Sequence, residues 1–397
     1  MTLLDEADAL LGRAVNLRRR IHRHPEVGLD LPHTQAVVLE ALDGLGYQVR
    51  TGAKCSSVVA TLDGPHAGPT VLLRGDMDAL PMHEDTGLGF ASEVEGAMHA
   101  CGHDAHTAML ASAARLIAAH RDDLHGRVLL MFQPGEEGFF GARIMIEEGL
   151  LEGDRAHPAP SAAFAIHQTA HQEAGRVGTK GGPLAASSDE IQIEVRGRGG
   201  HASAPHLALD PVPAACEIAL ALQTMVSRRV NVFDPAVVTI AHIDAGTTDN
   251  VIPESAQMQG TVRAVSDATR STVLEQVQRV VDGIAAAHGV EAMLTVPEGY
   301  PPTINDDGMA AFALDVAREV AGDDVVERMA HPVMGAEDFS FVLQRVPGAM
   351  VRLGTAPPGI EHPAPNHSNR MTLHEPAMAV GIALHAGWAL RYLDGSR

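Results

Sequence analysis

The chain has 397 residues, 45% of them hydrophobic and 20% charged, with a net charge of -21. That length suits two or three domains, each with its own core. The acidic balance argues against nucleic acid or an anionic membrane as a partner, because both call for a basic face.

Residues 3–20 read as an amphipathic helix with Leu3, Leu4, Leu10, Leu11, Val15 and Leu17 inward, stopped near Pro25. A second helix is expected over 34–44, closed by Gly44 and Gly46. Strands then alternate with helices. β-rich runs cover 57–62, 70–74, 127–132 and 162–166, and helices cover 104–120 and 141–148. This alternation predicts an α/β domain with a mixed, mostly parallel sheet flanked by helices. The pattern changes after Gly181-Gly182-Pro183. Ile191, Ile193 and Val195 alternate with Gln192, Glu194 and Arg196, as in a half-exposed strand. A helix over 210–230, strands over 237–243 and 256–265, a helix over 269–288 and a strand over 291–296 follow. That strand–helix–strand–strand–helix–strand order makes an α+β, ferredoxin-like domain, expected at 186–298 as an insertion. Residues 1–185 and 299–397 form the other domain, which ends with a helix at 307–321, an apolar strand at 349–353 and a last helix at 375–393.

The three cysteines, Cys55, Cys101 and Cys216, are odd in number and widely spaced, so no disulfide framework is expected. The first twenty residues mix acids with arginines and hold no apolar core before a cleavage site. No apolar run reaches the roughly 18 residues of a membrane span. The expected location is the cytoplasm.

The chemistry starts at Met98-His99-Ala100-Cys101-Gly102-His103-Asp104-Ala105-His106, which gathers one thiol, one carboxylate and three imidazoles on a loop that opens a helix. Free N–H groups and the positive dipole end there favour a thiolate. Cys-x-His brings two metal donors within reach of one ion. Other candidate donors fall at or after the carboxyl ends of predicted strands, the edge where open α/β sheets bind ligands. They are Asp76 and Asp78, Glu136 and Glu137, His167, and His367 in a Pro-flanked loop. Adjacent carboxylates such as Glu136-Glu137 repel unless they are solvated or face a cation. Beside a metal, one can bind the ion while its neighbour acts as a general base. Asp76 and Asp78 can either bind metal or orient histidine ligands. In the predicted insertion, the glycine-loosened loop around His201 and the polar loop around Asn250 could bind a carbonyl or carboxylate, or be ordinary turns.

These residues resemble the M20 metallopeptidase/amidohydrolase family, in its branch of N-acyl-amino-acid and amino-acid-conjugate hydrolases. The resemblance rests on IHRHPEVG (21–28), LLRGDMDALP (72–81), MHACGHDAH (98–106), FQPGEEGFFGA (132–142), AIH (165–167), GRGGHASAPH (197–206), NVIPESA (250–256), MGAEDFS (334–340) and NHS (366–368). It implies two divalent metal ions per subunit, Zn²⁺ or Mn²⁺, with Co²⁺ and Ni²⁺ also compatible with a mixed donor set. The implied ligands are Cys101 as a bridging thiolate, His103, Glu137, His167 and His367. It further implies Glu136 as general base, Asp78 and Asp104 as supporting acids, and His201 and Asn250 as substrate contacts. The inserted domain becomes a lid and dimer surface, so a homodimer or homotetramer is expected. The implied reaction is hydrolysis of an N-acyl amino acid by a metal-activated water. Alternative readings are a dipeptidase or carboxypeptidase on the same scaffold, or a small-molecule binding protein without catalysis. Phe139-Phe140 is bulkier than the short residues expected there, which suits a role in shaping an acyl pocket.

Overall fold

The computed structural model describes residues 1–153 and 158–394. In chain order it begins with α1 (Leu3–Arg23), whose N-terminus is closed by a reciprocal cap between Thr2 and Asp5. Then come α2 (Pro32–Leu42), β1 (Gln48–Thr51), β2 (Val58–Asp63), β3 (His66–Asp76), α3 (His103–Ala119), β4 (His125–Gln133), α4 (Gly141–Glu147), β5 (Pro160–Glu173) and β6 (Val177–Thr179). The middle of the chain holds β7 (Asp189–Arg196), α5 (Pro211–Arg229), β8 (Ala236–Ala245), β9 (Ser255–Ala264), α6 (Asp267–His288) and β10 (Glu291–Thr295). The chain closes with α7 (Asp307–Ala321), β11 (Val326–Arg328), β12 (Gly348–Ala356) and α8 (Met378–Leu393).

Two compact units result. The first comprises Met1–Gly182, Ile304–Ala330 and Phe341–Arg397, and the second Pro183–Thr303 and His331–Ser340. Residues 183–185, 299–303 and 331–340, expected with the first domain, fall in the second unit for a backbone reason. Ser188 and Tyr300 exchange N–H···O bonds at 2.9 and 3.0 Å. Val333 N–H donates to Leu184 O, and Ala186 N–H is shared by Val333 O and Gly335 O.

The first unit is built on one eight-stranded sheet, in the order β1-β2-β4-β3-β5-β12-β6-β11. Its centre, β4-β3-β5-β12, is parallel throughout. The flanking pairs β1/β2, β2/β4 and β6/β12 are antiparallel. Buried-on-both-faces strands read as near-continuous apolar runs, and Val71, Leu72, Leu73 and Val128 to Phe132 do so. One core joins the sheet to α1, α3, α7 and α8, with Trp388 of α8 fully buried against Phe164 at 5.1 Å between rings. Parallel strands point their carboxyl ends the same way, which brings the loops after β3 and β4 to one edge.

The second unit is a four-stranded antiparallel sheet, β8-β9-β7-β10, covered on one face by α5 and α6. Ile191, Ile193 and Val195 of β7 face its core with Val273, Val277 and Val281 of α6. Asp210 caps α5 ahead of Pro211, and Ser266 caps α6, which ends on Gly289 at φ +68°. No helix among the described residues is long and apolar enough to cross a membrane.

Candidate metal centre

The site of the first unit lies at the carboxyl edge of the parallel strands. β3 ends at Asp76, in register with Gln133 at the end of β4. His167 departs from expectation: it is not a strand-end residue, because β5 runs on to Glu173 and pairs with β12 past it. It reaches the same edge because β3 pairs with β5 only as far as Arg74↔Ala165. Beyond Ala165 that side of β5 is open, and His106 fills the gap by accepting the Gln168 N–H at Nε2, 2.8 Å.

Gly102 sits at φ +80° before α3, and a Cβ there would meet Gln168 Nε2 at 2.5 Å. Only glycine suits both the left-handed backbone and the close approach. This turn sets Cys101 and His103 on the two sides of the helix entrance. The donor atoms of Cys101, His103 and His167 all lie within 4.8 Å of one another, and so do those of Cys101, Glu137 and His367. Cys101 belongs to both groups. Its sulfur is 3.5 Å from His167 Nε2, and His367 Nε2 is 3.2 Å from Glu137 Oε1. His103, Glu136 and Glu137 form a further group of the same tightness.

The protonation of these groups fits a cation. His167 donates Nδ1–H to its neighbour's carbonyl, Gln168 O, at 2.6 Å, and burial pushes its pKa well down. A neutral ring with its Nε2 lone pair facing Cys101 is what a metal requires. Burial is the largest influence and disfavours a charged His103, yet Asp76, Cys101 and Asp78 together outweigh it and hold the ring's pKa well above the usual range. The ring is fully buried and neither nitrogen has a hydrogen-bond partner among the described residues. A proton there stands in for positive charge that the ring's surroundings demand. The His367 pKa is raised to about 10, first by the hydrogen bond to Cys101 and then by Glu137. His367 also has φ +67°, a costly backbone for a residue with a side chain, and its N–H is tied to Ala100 O at 2.8 Å.

The acids around the donors are engaged. Asp78 Oδ1 accepts the Glu136 N–H and Oδ2 the Glu137 N–H, both at 3.0 Å. It thereby shapes the Gln133-Pro134-Gly135-Glu136-Glu137 turn. Asp76 accepts from His106 Nδ1 at 2.6 Å and pairs with Arg74 Nη1 at 2.7 Å. Asp104 accepts from Arg18 Nε at 2.9 Å and from His22 Nδ1 at 2.8 Å. Burial alone would raise the Asp104 pKa, but Arg18 and then His22 outweigh it and hold the acid well below the usual carboxylate range.

In the second unit, His201 lies on a two-stranded ladder, and Asn250 just precedes the other strand of that ladder. His201 pairs with Val251, and Ala202 N–H donates to Asn250 O at 3.1 Å. His201 Nδ1 accepts the Ser203 N–H at 3.1 Å, which leaves the ring's hydrogen on Nε2, exposed and able to donate. Both residues line a hollow of about 400 Å³ with Gly199, Ile252, Pro253 and Glu254.

Residues 72–391 match Peptidase family M20/M25/M40. The chain belongs to that family. It is similar to N-acetylcysteine deacetylase of Bacillus subtilis (strain 168), 39% identical over 96% of this chain and 97% of that protein. It is also similar to thermostable carboxypeptidase 1 of Saccharolobus solfataricus, 37% identical over 95% of each. Among solved structures, a Bacillus subtilis dinuclear metal binding peptidase from the M20 family superposes with a TM-score of 0.83. It is 35% identical, over 97% of this chain and 99% of that one.

Several residues of this M20 chain support the site without having been singled out by sequence. Gln168 Nε2 donates to Cys101 O at 2.7 Å and its Oε1 accepts from Thr355 at 2.7 Å. Asn366 Nδ2 lies 3.6 Å from the Cys101 sulfur while its Oδ1 accepts the Ala170 N–H. The signal for Gln168 was its place: it follows His167 directly after the apolar run 162–166, and a Gln buried there needs partners. Nothing in the spacing of Thr355 pointed to the site.

Proposed function

We propose that this chain is a metal-dependent amidohydrolase that cleaves the amide bond of N-acyl or aryl-acyl amino acids, with Glu136 as general base. The observation that carries this reading is the sharing of Cys101 between two donor groups, with Glu136 beside them at 4.0 Å from His103 Nε2. Cys101, His103, Glu137, His167 and His367 would hold two divalent ions. A thiolate with imidazole and carboxylate donors suits Zn²⁺ or Mn²⁺, and also Co²⁺ or Ni²⁺. When bound, the ions supply Lewis-acid activation of water and of the amide carbonyl.

The chain's own residues do the rest. Glu136 takes a proton from the attacking water and delivers it to the leaving nitrogen as the C–N bond breaks. Asp78 holds Glu136 and Glu137 in place through their backbone N–H groups. His201, with its hydrogen on Nε2, donates to the carbonyl oxygen as charge builds there, and Asn250 contacts the substrate. Residues 186–298 serve as lid and association surface of a homodimer or homotetramer. A cytoplasmic location agrees with three cysteines that are all free thiols.

The likeness to a carboxypeptidase, nearly as close as that to the deacetylase, favours a second reading on the same residues: release of a C-terminal amino acid from a di- or oligopeptide. Both reactions break the amide on the nitrogen of an amino acid that bears a free carboxylate. Rates on N-acetyl and N-benzoyl amino acids against free dipeptides separate them. A binding protein without catalysis is disfavoured by the intact Cys101, Glu136 and Glu137. The test of the main reading is Glu136→Ala: turnover should vanish while bound metal stays. Unchanged turnover would reject it.

A further inference from the structure

The IHRHPEVG stretch has no part in the ligand set, yet its residues reach the first turn of α3 and the loops after β3 and β4. Arg18 and His22, on the last turns of α1, are 2% and 1% exposed. Both aim at Asp104 Oδ2, at 2.9 and 2.8 Å. Asp104 is the second residue of α3, next to His103. Asp104 Oδ1 has no hydrogen-bond partner among the described residues, so these two donors alone hold the carboxylate's hydrogen bonds.

The two donors are themselves fixed from behind. His22 Nε2 lies 3.3 Å from Glu84 Oε1, whose other oxygen accepts the Ser92 N–H at 2.7 Å. Arg18 Nη1 donates to Glu375 at 2.8 Å, and Arg19 grips the same carboxylate at 3.0 and 2.6 Å. Phe90 closes the cluster, edge-on to His22 at 5.5 Å. Downstream, Glu26 O accepts the Ala79 N–H at 2.8 Å, just after Asp78, and Phe139 packs against Gly28. A buried charge network of this kind adds little net stability, because desolvation offsets the attraction. What it supplies is direction.

We propose that Arg18 and His22 are positioning residues for the metal loop: from α1 they clamp Asp104 and thereby fix the first turn of α3, on which His103 is mounted. The proposal rests on the metal-binding reading given above. Residues that hold a ligand from behind set metal affinity, and their loss typically costs about 10- to 100-fold.

The experiment measures Zn²⁺ and Mn²⁺ affinity of the full chain by chelator competition, together with thermal unfolding of the metal-free protein. His22→Leu should weaken metal binding about tenfold or more. His22→Asn, whose amide can still donate to Asp104, should recover most of that loss. A purely structural role predicts something else: lower melting of the metal-free protein, with affinity equal to wild type. That result overturns the proposal. If His22→Leu does not fold, Arg18→Lys keeps the charge but cannot bridge Asp104 and Glu375 together. It should show the same loss, and an unchanged affinity there also overturns the proposal. Wild-type protein that binds neither ion would sink the metal-binding reading and this proposal with it. Equal affinities in wild type and variants would sink this proposal alone.

Discussion

Asp78→Ala isolates what holds the general base. The carboxylate accepts two backbone N–H groups, those of Glu136 and Glu137, at 3.0 Å each. A hydrogen bond to a charged group contributes about 1.5–3 kcal/mol, and a buried donor left unpaired costs about 1–3 kcal/mol. Glu136 is 6% exposed, so its N–H has little access to water after truncation. The Glu137 N–H lies in a half-buried stretch and can be rehydrated in part. The expected loss is therefore about 2–4 kcal/mol of unfolding free energy for the metal-free protein. A second effect follows, because the turn that aims Glu136 is released. A misplacement of about 1 Å at a catalytic group costs about 100-fold in rate. Urea unfolding of the metal-free protein and turnover of the metal-loaded one on an N-acyl amino acid are the two readouts. Asp78→Asn keeps the shape and one acceptor and should fall between wild type and Asp78→Ala on both. Wild-type stability and turnover in Asp78→Ala would refute the reasoning, since the two N–H groups would then have found other partners at no cost.

His201→Ala should lower kcat by about 100-fold or more, the cost of one oxyanion donor near 3 kcal/mol, with little change in unfolding; full kcat removes His201 from the mechanism. Gly102→Ala should destabilise by about 1–2 kcal/mol from the left-handed backbone alone. The crowding of Gln168 at 2.5 Å adds to that cost, and urea unfolding equal to wild type would contradict it. In the metal-free protein the His367 pKa is raised to about 10. Its contribution to stability is therefore complete below the usual histidine pKa of about 6.5 and is lost as pH rises through the folded value. A metal ion held by His367 would have to displace that proton. Metal binding in a weakly buffered solution near neutral pH should release protons and tighten as pH rises; binding with no proton release contradicts this assignment.

Much of the fold was legible because its signals are local. The alternation of apolar strands with helices, and of Ile191, Ile193 and Val195 with polar neighbours, acts within a few residues. The candidate donors stood out in the sequence because Cys-x-His, Glu-Glu and strand-end acids are a rare coincidence in one chain, and the fold brings their donor atoms together. Position within the sheet was less so. His167 read as a strand end because the apolar run stops there, but β5 continues as a polar strand to Glu173, paired by β12 from the far end of the chain. The short strands β1, β6 and β11 were missed because three or four residues carry too little periodicity to read; β1, at one edge of the sheet, is exposed at all four positions. The choice between Asp76 and Asp78 as ligands or supports stayed open for a similar reason. Only the tertiary structure brings Arg74 and His106 to one and the backbone of Glu136-Glu137 to the other. The Arg18–Asp104–His22 cluster joins residues more than eighty positions apart, and no spacing in the sequence announces it.

The central claim is that Cys101 is shared by two cations held beside Glu136. Anomalous diffraction from crystals of the metal-loaded protein tests it most directly. Two peaks are expected, both at bonding distance from the Cys101 sulfur, about 2.3 Å for zinc. His103 and His167 should complete one coordination sphere, and Glu137 and His367 the other. A single peak away from Cys101, or ions that leave Glu137 and His367 unbound, would contradict the account.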